Sequence, residues 1–314
     1  MTNQVQPKLI IHGGAGSSLK GKGGIAAVRQ SLHSILQQTY AALKNGCTAE
    51  EAVVLGCQLL EDEPRFNAGT GSVLQSDGQV RMSAALMSGE QQRFSGIINV
   101  GQVQHPIELA QQLQGAPDRV LSETGAALLA RDQNVPIYSP LTDLRLQEWM
   151  QERKGEFNPD MASVIAEPVS EEAGRGTIGV VARDGQGRLA VGTSTGGKGF
   201  ERVGRVSDSA MPAGNYATSM AAVSCTGIGE DIIDECLAAR IVVRVTDGAT
   251  LEAAFSRSCA EANQNHRDLG AIGLDHTGAI AWGKTSDILL AAYHTGTEAG
   301  DTLEDPIGLH VGVR

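Results

Sequence analysis

A threonine preceded by glycine, Gly176-Thr177, opens the apolar run Ile178-Gly179-Val180-Val181-Ala182. The run is short and β-branched, the pattern of a buried strand. Residues 154–175 ahead of it are polar and poor in strand-forming side chains, the composition of an exposed connection. Thr177 therefore stands where a loop enters a sheet. Cutting the Gly176–Thr177 bond would give Thr177 a free α-amine beside its own hydroxyl, so that one residue carries nucleophile and base. Taken alone, a loop glycine before a strand threonine is an ordinary arrangement, and the chemistry depends on what else the chain supplies.

Three further clusters could supply it. Lys8-Leu9-Ile10-Ile11 reads as a first strand, which ends in His12-Gly13-Gly14-Ala15-Gly16. That glycine-rich end lacks the Lys-Ser/Thr ending of a P-loop and the spacing of a dinucleotide fingerprint, so its glycines suit close approach of backbone rather than phosphate binding. His12 by itself reads as a hydrogen-bonded structural histidine. Arg205 and Asp208 set a cation and an anion three residues apart. Such a pair can grip a zwitterion, guanidinium to carboxylate and carboxylate to ammonium, although an isolated Arg and Asp are more often a surface ion pair. Ser224-Cys225-Thr226-Gly227-Ile228-Gly229 ends a strand just before a helix, where a hydroxyl and free backbone N–H groups can stabilise an oxyanion. Cys225 lies inside that strand and reads as packing.

The elements that must position these groups follow from periodicity. Residues 24–44 have apolar side chains at helical spacing and stop at Asn45-Gly46. Thr48 with Glu51 three positions on is a capping box that opens a helix towards Glu61. Short strands are expected at residues 72–74, 80–87 and 95–100, with Asp77-Gly78 turning a hairpin between the first two. Helices are expected from Pro106, from Ser122, and over residues 142–153. After Thr177, a hairpin turns at residues 184–187 and returns over residues 188–195, and a strand spans residues 221–226. One long helix is expected over residues 230–245 and another over 250–263, before a hairpin of residues 271–274 and 279–282. Strands in the middle and late chain with paired helices between them suit helices packed outside two face-to-face sheets.

Composition narrows the function. The chain has 314 residues, 41% of them hydrophobic and 4% aromatic, so aliphatic side chains fill most of its core. The formal net charge of −11, with no basic stripe, argues against nucleic acid and anionic membranes. No apolar run is long enough to span a bilayer, and the N-terminal residues show no secretory pattern. Five cysteines, an odd number without C-x-x-C spacing, read as reduced core thiols of a cytoplasmic protein.

Each cluster is weak alone, but their order is specific. The series H-G-G-A-G, F-N-A-G-T-G, G-T-I-G-V-V-A, T-S-T-G-G, G-R-V-S-D-S and S-C-T-G-I-G resembles the plant-type asparaginases, or isoaspartyl peptidases, which are N-terminal nucleophile hydrolases. The resemblance runs from Lys8 to about Trp282. It implies an α+β fold, a four-layer αββα sandwich formed by residues 1–314 as one domain. It implies self-cleavage at Gly176–Thr177 into an α chain, 1–176, and a β chain, 177–314, that remain associated, with an (αβ)2 heterotetramer as the assembly. By the same resemblance Thr177 is the nucleophile and Thr195 its hydrogen-bonding partner, while Thr226 and Gly227 form the oxyanion hole. Arg205 binds the substrate α-carboxylate, and Asp208 with the Gly229 carbonyl binds the α-ammonium. Gly13 and Gly14 assist the cleavage of Gly176–Thr177. The backbone of Leu60, Glu61, Glu63, Phe66, Ala68 and Thr70 would hold a structural sodium ion, with Asn67 supporting the site. The implied reaction is hydrolysis of β-aspartyl dipeptides and, more weakly, L-asparagine to L-aspartate, with no cofactor for the chemistry.

The sequence departs from the family at Ser83 and Ser88, where aspartate is frequent, and at Ser207, where glycine is usual. These bear on local packing and maturation rate rather than on the reaction class. The competing readings are a glycosylasparaginase-like amidase, a taspase-like protease, and a non-catalytic paralogue that stays uncut.

Overall fold

The computed structural model describes residues 5–16, 19, 22–154 and 176–314. The polar connection read ahead of Gly176 therefore lies, from residue 155 on, outside the described residues. The strands form two sheets. The first orders eight of them β12-β11-β1-β5-β6-β2-β3-β4. Here β1 is Lys8–Gly16, β2 Met82–Ser88, β3 Arg93–Val100, β4 Val120–Ser122, β5 Ile178–Arg183, β6 Leu189–Thr195, β11 Ile288–His294 and β12 Ala299–Asp301. All neighbours are antiparallel except β3 and β4, which run parallel. The second sheet is antiparallel throughout, in the order β13-β10-β9-β8-β7. Its strands are β7 Asn215–Ala217, β8 Ala221–Gly227, β9 Leu269–Asp275, β10 Ile280–Lys284 and β13 His310–Val313.

Strand alternation assigns the layers. Successive side chains of a strand face opposite sides, so in β1 Leu9 and Ile11 pack outward while Ile10 faces the other sheet. In β5 Val180 and Ala182 go outward and Val181 inward. The second sheet mirrors this, with Ala221, Val223 and Cys225 outward and Ala222 inward. Both sheets are therefore apolar on both faces, and each outer face needs a cover. On the first sheet the cover comes from α1 (Gly24–Lys44), α2 (Ala49–Glu61), α3 (Pro106–Gln112) and α4 (Glu123–Asp132). On the second it comes from α6 (Gly229–Glu235), α7 (Leu237–Thr246) and α8 (Leu251–Gln264). The layers run helix, sheet, sheet, helix, the expected αββα sandwich. The capping box at Thr48 is present in full: Glu51 N donates to Thr48 Oγ1 and Thr48 N to Glu51 Oε2.

The position of residue 177 divides the two sheets differently. In the first, β1 from the leading segment lies between β11 and β5 from the trailing one, and β2 lies beside β6. The second sheet is built wholly from residues after 177.

Three expectations are corrected. The helix over residues 230–245 is two helices, α6 and α7, because Cys236 turns left-handed at φ 46 and ψ 46. The first amides of α7 there meet loop carbonyls, Ala238 N donating to Ala213 O and Ala239 N to Pro212 O. Residues 72–74 form no strand, since Ser72 N donates to Gly69 O and Val73 N to Asn67 Oδ1, which leaves no ladder to join. Thus the Asp77-Gly78 turn joins no strand pair. The strand expected to end before His12 runs on to Gly16, with its register shifted between His12 and Ala15. Finally, α5 (Asp143–Lys154) matches the helix expected over residues 142–153.

Candidate active site

The β5–β6 hairpin places the threonine. Its register pairs Ile178 with Ser194, so Thr177 lies one step beyond, opposite Thr195. Thr177 is 8% exposed, and its hydroxyl donates to Thr195 Oγ1 at 3.1 Å. Gly197 N also donates to Thr195 Oγ1 at 3.1 Å, which fixes that oxygen at the strand end. A single turn of sequence thus brings together the two threonines that lie 18 positions apart.

On the Gly176 side the contacts are backbone to backbone. The Gly176 carbonyl accepts from Asn67 N at 3.2 Å. Asn67 is itself held at every polar atom: its carbonyl accepts from Gly196 N, its Nδ2 donates to Gly197 O at 2.7 Å, and its Oδ1 accepts from Val73 N. Gly14 has φ +124, and a Cβ on it would stand 2.5 Å from Gly176 Cα, so only glycine lets β1 approach there. Gly13 touches something else. A Cβ on it would strike the Phe66 ring, so its smallness serves the 60–70 loop and not Gly176 directly.

Across the cleft lie the charged groups. Thr177, Thr195, Gly176, Arg205, Asp208, Gly227 and Gly229 all line one pocket, with Ser207, Gly197, Lys198 and Ile228. Arg205 and Asp208 do not form the ion pair their spacing allowed. The Arg205 guanidinium is forked onto Glu230, Nε to Oε1 at 2.9 Å and Nη2 to Oε2 at 3.1 Å. Burial works against its charge, but Glu230, Glu201 and Asp208 outweigh that and raise its pKa. Asp208 is buried, with Oδ1 accepting from Ser207 Oγ and Oδ2 without a hydrogen-bond partner among the described residues. Burial pushes its carboxyl up to about 7, and Arg205 pulls the other way. Gly229 sits between the two: a Cβ there would stand 2.6 Å from Arg205 Nη2 and 2.8 Å from Asp208 Oδ1. Thr226 is fully buried behind this lining, and its hydroxyl also has no partner among the described residues. Gly227 next to it has φ +129.

Four residues form a buried polar row between the sheets that sequence reasoning did not assign. Thr193 Oγ1 donates to Asn215 Oδ1 at 2.8 Å and so accepts from Ser224 Oγ at 2.7 Å. Ser224 in turn accepts from His12 Nε2 at 2.9 Å. Burial pulls the His12 pKa down to about 3, so the ring is neutral, in the structural role expected of it. The signal for the row was a hydroxyl inside each strand, Thr193 in β6 and Ser224 in β8; only the packing of one sheet on the other shows that they meet.

The 60–70 loop bends tightly. Glu61 O accepts from Thr70 N, Leu60 O from Glu63 N and Glu63 O from Phe66 N. Among the described residues no backbone N–H reaches the carbonyls of Phe66, Ala68 or Thr70. Glu61 turns its carboxyl inward to Ser194 Oγ at 2.6 Å, and burial raises its pKa well above the usual range. The described residues contain no group of three or more His, Cys, Asp or Glu placed to hold a metal ion. No helix among them is long and apolar enough to cross a membrane.

Known proteins are similar in sequence to this chain over nearly its whole length. The isoaspartyl peptidase/L-asparaginase of a Nostoc species is 69% identical across 99% of both chains. That of a Synechocystis species is 65% identical across 98% of this chain and 93% of its own. The plant-type L-asparaginase of Pyrococcus horikoshii is 34% identical across 95% and 98%. A family profile described as asparaginase matches residues 5–304. With a buried threonine pair at the head of a central strand and this extent of shared sequence, the chain belongs to the asparaginase family.

Proposed function

We propose that the protein hydrolyses β-aspartyl dipeptides and, more weakly, L-asparagine, releasing L-aspartate, after cutting itself between Gly176 and Thr177. The observation that carries this reading is the 3.1 Å hydrogen bond from Thr177 Oγ1 to Thr195 Oγ1, in a pocket that also holds Arg205 and Asp208. In the uncut chain the Thr177 nitrogen belongs to an amide, whose lone pair is delocalised and cannot take a proton. Cleavage frees it as the base. The Thr177 hydroxyl then attacks the substrate side-chain carbonyl and passes its proton to the amine. Thr226 Oγ1 and Gly227 N receive the developing oxyanion. The leaving amine takes the proton and departs, water cleaves the aspartyl ester, and Thr177 is restored. Arg205 takes the α-carboxylate, and Asp208 with Gly229 O the α-ammonium. The unpartnered Oδ2 of Asp208 supports this reading, because a buried acceptor without a donor is what an arriving ammonium would satisfy.

Every step uses the chain's own groups, so we propose no cofactor for the chemistry. The carbonyls of Leu60, Glu61, Glu63, Phe66, Ala68 and Thr70 fit a structural sodium ion. They are hard, neutral oxygens in one bend, and those that already accept a hydrogen bond keep a second lone pair. Such an ion would stiffen the loop that carries Asn67. We further propose that the α and β chains remain together as an (αβ)2 heterotetramer in the cytoplasm, a setting supported by the five free cysteines.

The test is a denaturing gel with N-terminal sequencing, followed by an assay. Purified protein should give two fragments, the smaller beginning at Thr177, and should release aspartate from β-aspartyl-leucine. Thr177→Ala should stay one chain with no activity. A wild-type chain that stays intact, or an alanine variant that processes normally, would sink the assignment.

A further inference from the structure

One buried charge near the reacting bond has no part in this scheme. Lys22, between β1 and α1, is 6% exposed. Its ammonium donates to Arg65 O at 2.8 Å and lies 5.8 Å from the centre of the Phe66 ring. It also stands 3.3 Å from the point a Cβ on Gly176 would occupy. Asn67 N lies 3.3 Å from that same point. The Asn67 amide and the Lys22 ammonium thus converge on the residue whose carbonyl is to be attacked. An ammonium has three donors, and among the described residues only the Arg65 carbonyl accepts from this one. No residue of the substrate pocket needs Lys22, which is absent from its lining.

We propose that Lys22 is the charged group that drives chain cleavage, stabilising the oxyanion formed on Gly176 and then pairing with the Gly176 carboxylate that cleavage leaves. This rests on the self-cleavage reading above. In the first step Thr177 Oγ1 bonds to Gly176 C. The C–N bond to Thr177 breaks, and the hydroxyl proton ends on the freed amine. The product is an ester. Water then adds to Gly176 C, the C–Oγ1 bond breaks, and the products are a Gly176 carboxylate, a free Thr177 hydroxyl and amine, and one proton released to solvent. One water is consumed. Negative charge appears on the Gly176 oxygen in both additions and is permanent at the end. Asn67 N supplies a hydrogen bond to that oxygen, and Lys22 supplies the opposite charge in a water-poor setting where it acts strongly.

The charge of Lys22 has a limited pH range. Burial lowers its pKa to about 8; Arg145 adds to the lowering and Glu148 opposes it. The two other cations at this corner are paired, Arg65 with Glu63 and Arg145 with Glu148. The ammonium is therefore present below about pH 8 and lost above it.

The experiment follows fragment appearance over time in freshly synthesised full-length chain, for wild type, Lys22→Met and Lys22→Arg, from pH 6 to 10. At pH 7 Lys22→Met should be slower by about a hundredfold, on the scale of removing one oxyanion donor. Lys22→Arg should stay within about threefold of wild type. Above pH 8 the advantage of wild type over Lys22→Met should shrink, while that of Lys22→Arg persists. Equal rates in Lys22→Met and wild type, or a gap that ignores pH, would overturn the proposal. If Lys22→Met does not fold, the arginine variant decides: its rate relative to wild type must grow above pH 8, and a flat ratio overturns the proposal. A wild-type chain that never cuts at Gly176 overturns the functional reading, and this inference with it.

Discussion

The two sides of Thr177 are built on opposite principles. Beside Gly176 the acceptor is already met: its carbonyl accepts from Asn67 N, and Asn67 is held in turn by Gly196, Gly197 and Val73. Around Arg205 and Asp208 two buried oxygens, Asp208 Oδ2 and Thr226 Oγ1, have no partner among the described residues. A carbonyl that already has its donor fits a group present in the chain, while buried oxygens without one fit a group still to arrive. Buried polar atoms left unpaired cost about 1–3 kcal/mol each, so the second side is destabilising until filled. The difference teaches which half of the site serves the protein's own bond and which serves a ligand.

That contrast can be broken at its tightest point. Gly14→Ala would set a Cβ 2.5 Å from Gly176 Cα, at a backbone angle of +124 that alanine rarely adopts. The Cβ is fixed by its own backbone and Gly176 Cα is main chain, so neither can swing away. We expect cleavage to fall by about a hundredfold or more, together with a loss of about 1–3 kcal/mol in stability from strain. Fragment yield and a urea titration would measure the two. A Gly14→Ala chain that matures normally would remove the distinction between the two sides.

On the recognition side the changes should spare cleavage and impair turnover. Arg205→Lys keeps the charge but loses the planar fork, and Asp208→Asn loses the charge that meets the ammonium. Each should lower kcat/KM for β-aspartyl-leucine by about 10- to 150-fold, the equivalent of about 1.5–3 kcal/mol. Wild-type-like values in matured Arg205→Lys and Asp208→Asn would place the substrate elsewhere.

The smallest effect is read in pH. Burial raises the Asp208 carboxyl to about 7 from an ordinary 3.8. A raised carboxyl binds its proton more tightly folded than unfolded. Stability from this group is therefore full below the ordinary carboxylate range and lost as pH rises towards 7. The proposed ammonium contact needs the opposite, an ionised Asp208. KM should accordingly rise as pH falls below 7, by at most tenfold per unit, while the free protein gains stability. Asp208→Asn should abolish that stability change and, at pH 8, raise the melting temperature. A melting temperature for Asp208→Asn at or below wild type at pH 8 would show that Asp208 is not strained in the free site.

The sequence was most legible where a rule is local. The capping box at Thr48, the turn at residues 184–187 and the hairpin of β9 and β10 depend on neighbours in the chain, and all form as read. The break at Cys236 was invisible because no glycine or proline marks it, and its cause lies in the carbonyls of Pro212 and Ala213. Residues 72–74 form no strand because the amides of Ser72 and Val73 go to Gly69 and to the Asn67 side chain, which no periodicity records. The same limit governs the site. Thr177, Arg205 and Asp208 stand out by their own chemistry and spacing, and Thr195 by resemblance. Glu230 as the holder of Arg205, Lys22 beside Gly176 and the row from His12 to Asn215 depend on contacts made across the fold.

The interleaved first sheet has a consequence for the history of the molecule. Strand β1 comes from before residue 177 and is hydrogen-bonded on both edges to strands from after it. As one chain, these strands find each other within a single tethered coil, and folding does not depend on concentration. Once cut, the same sheet must be rebuilt by two separate pieces that meet in solution, and the leading piece alone leaves the second sheet unmade. Unfolding the cut protein would then be a one-way event at cellular dilution, and its lifetime would be set by the rate at which the sheet opens.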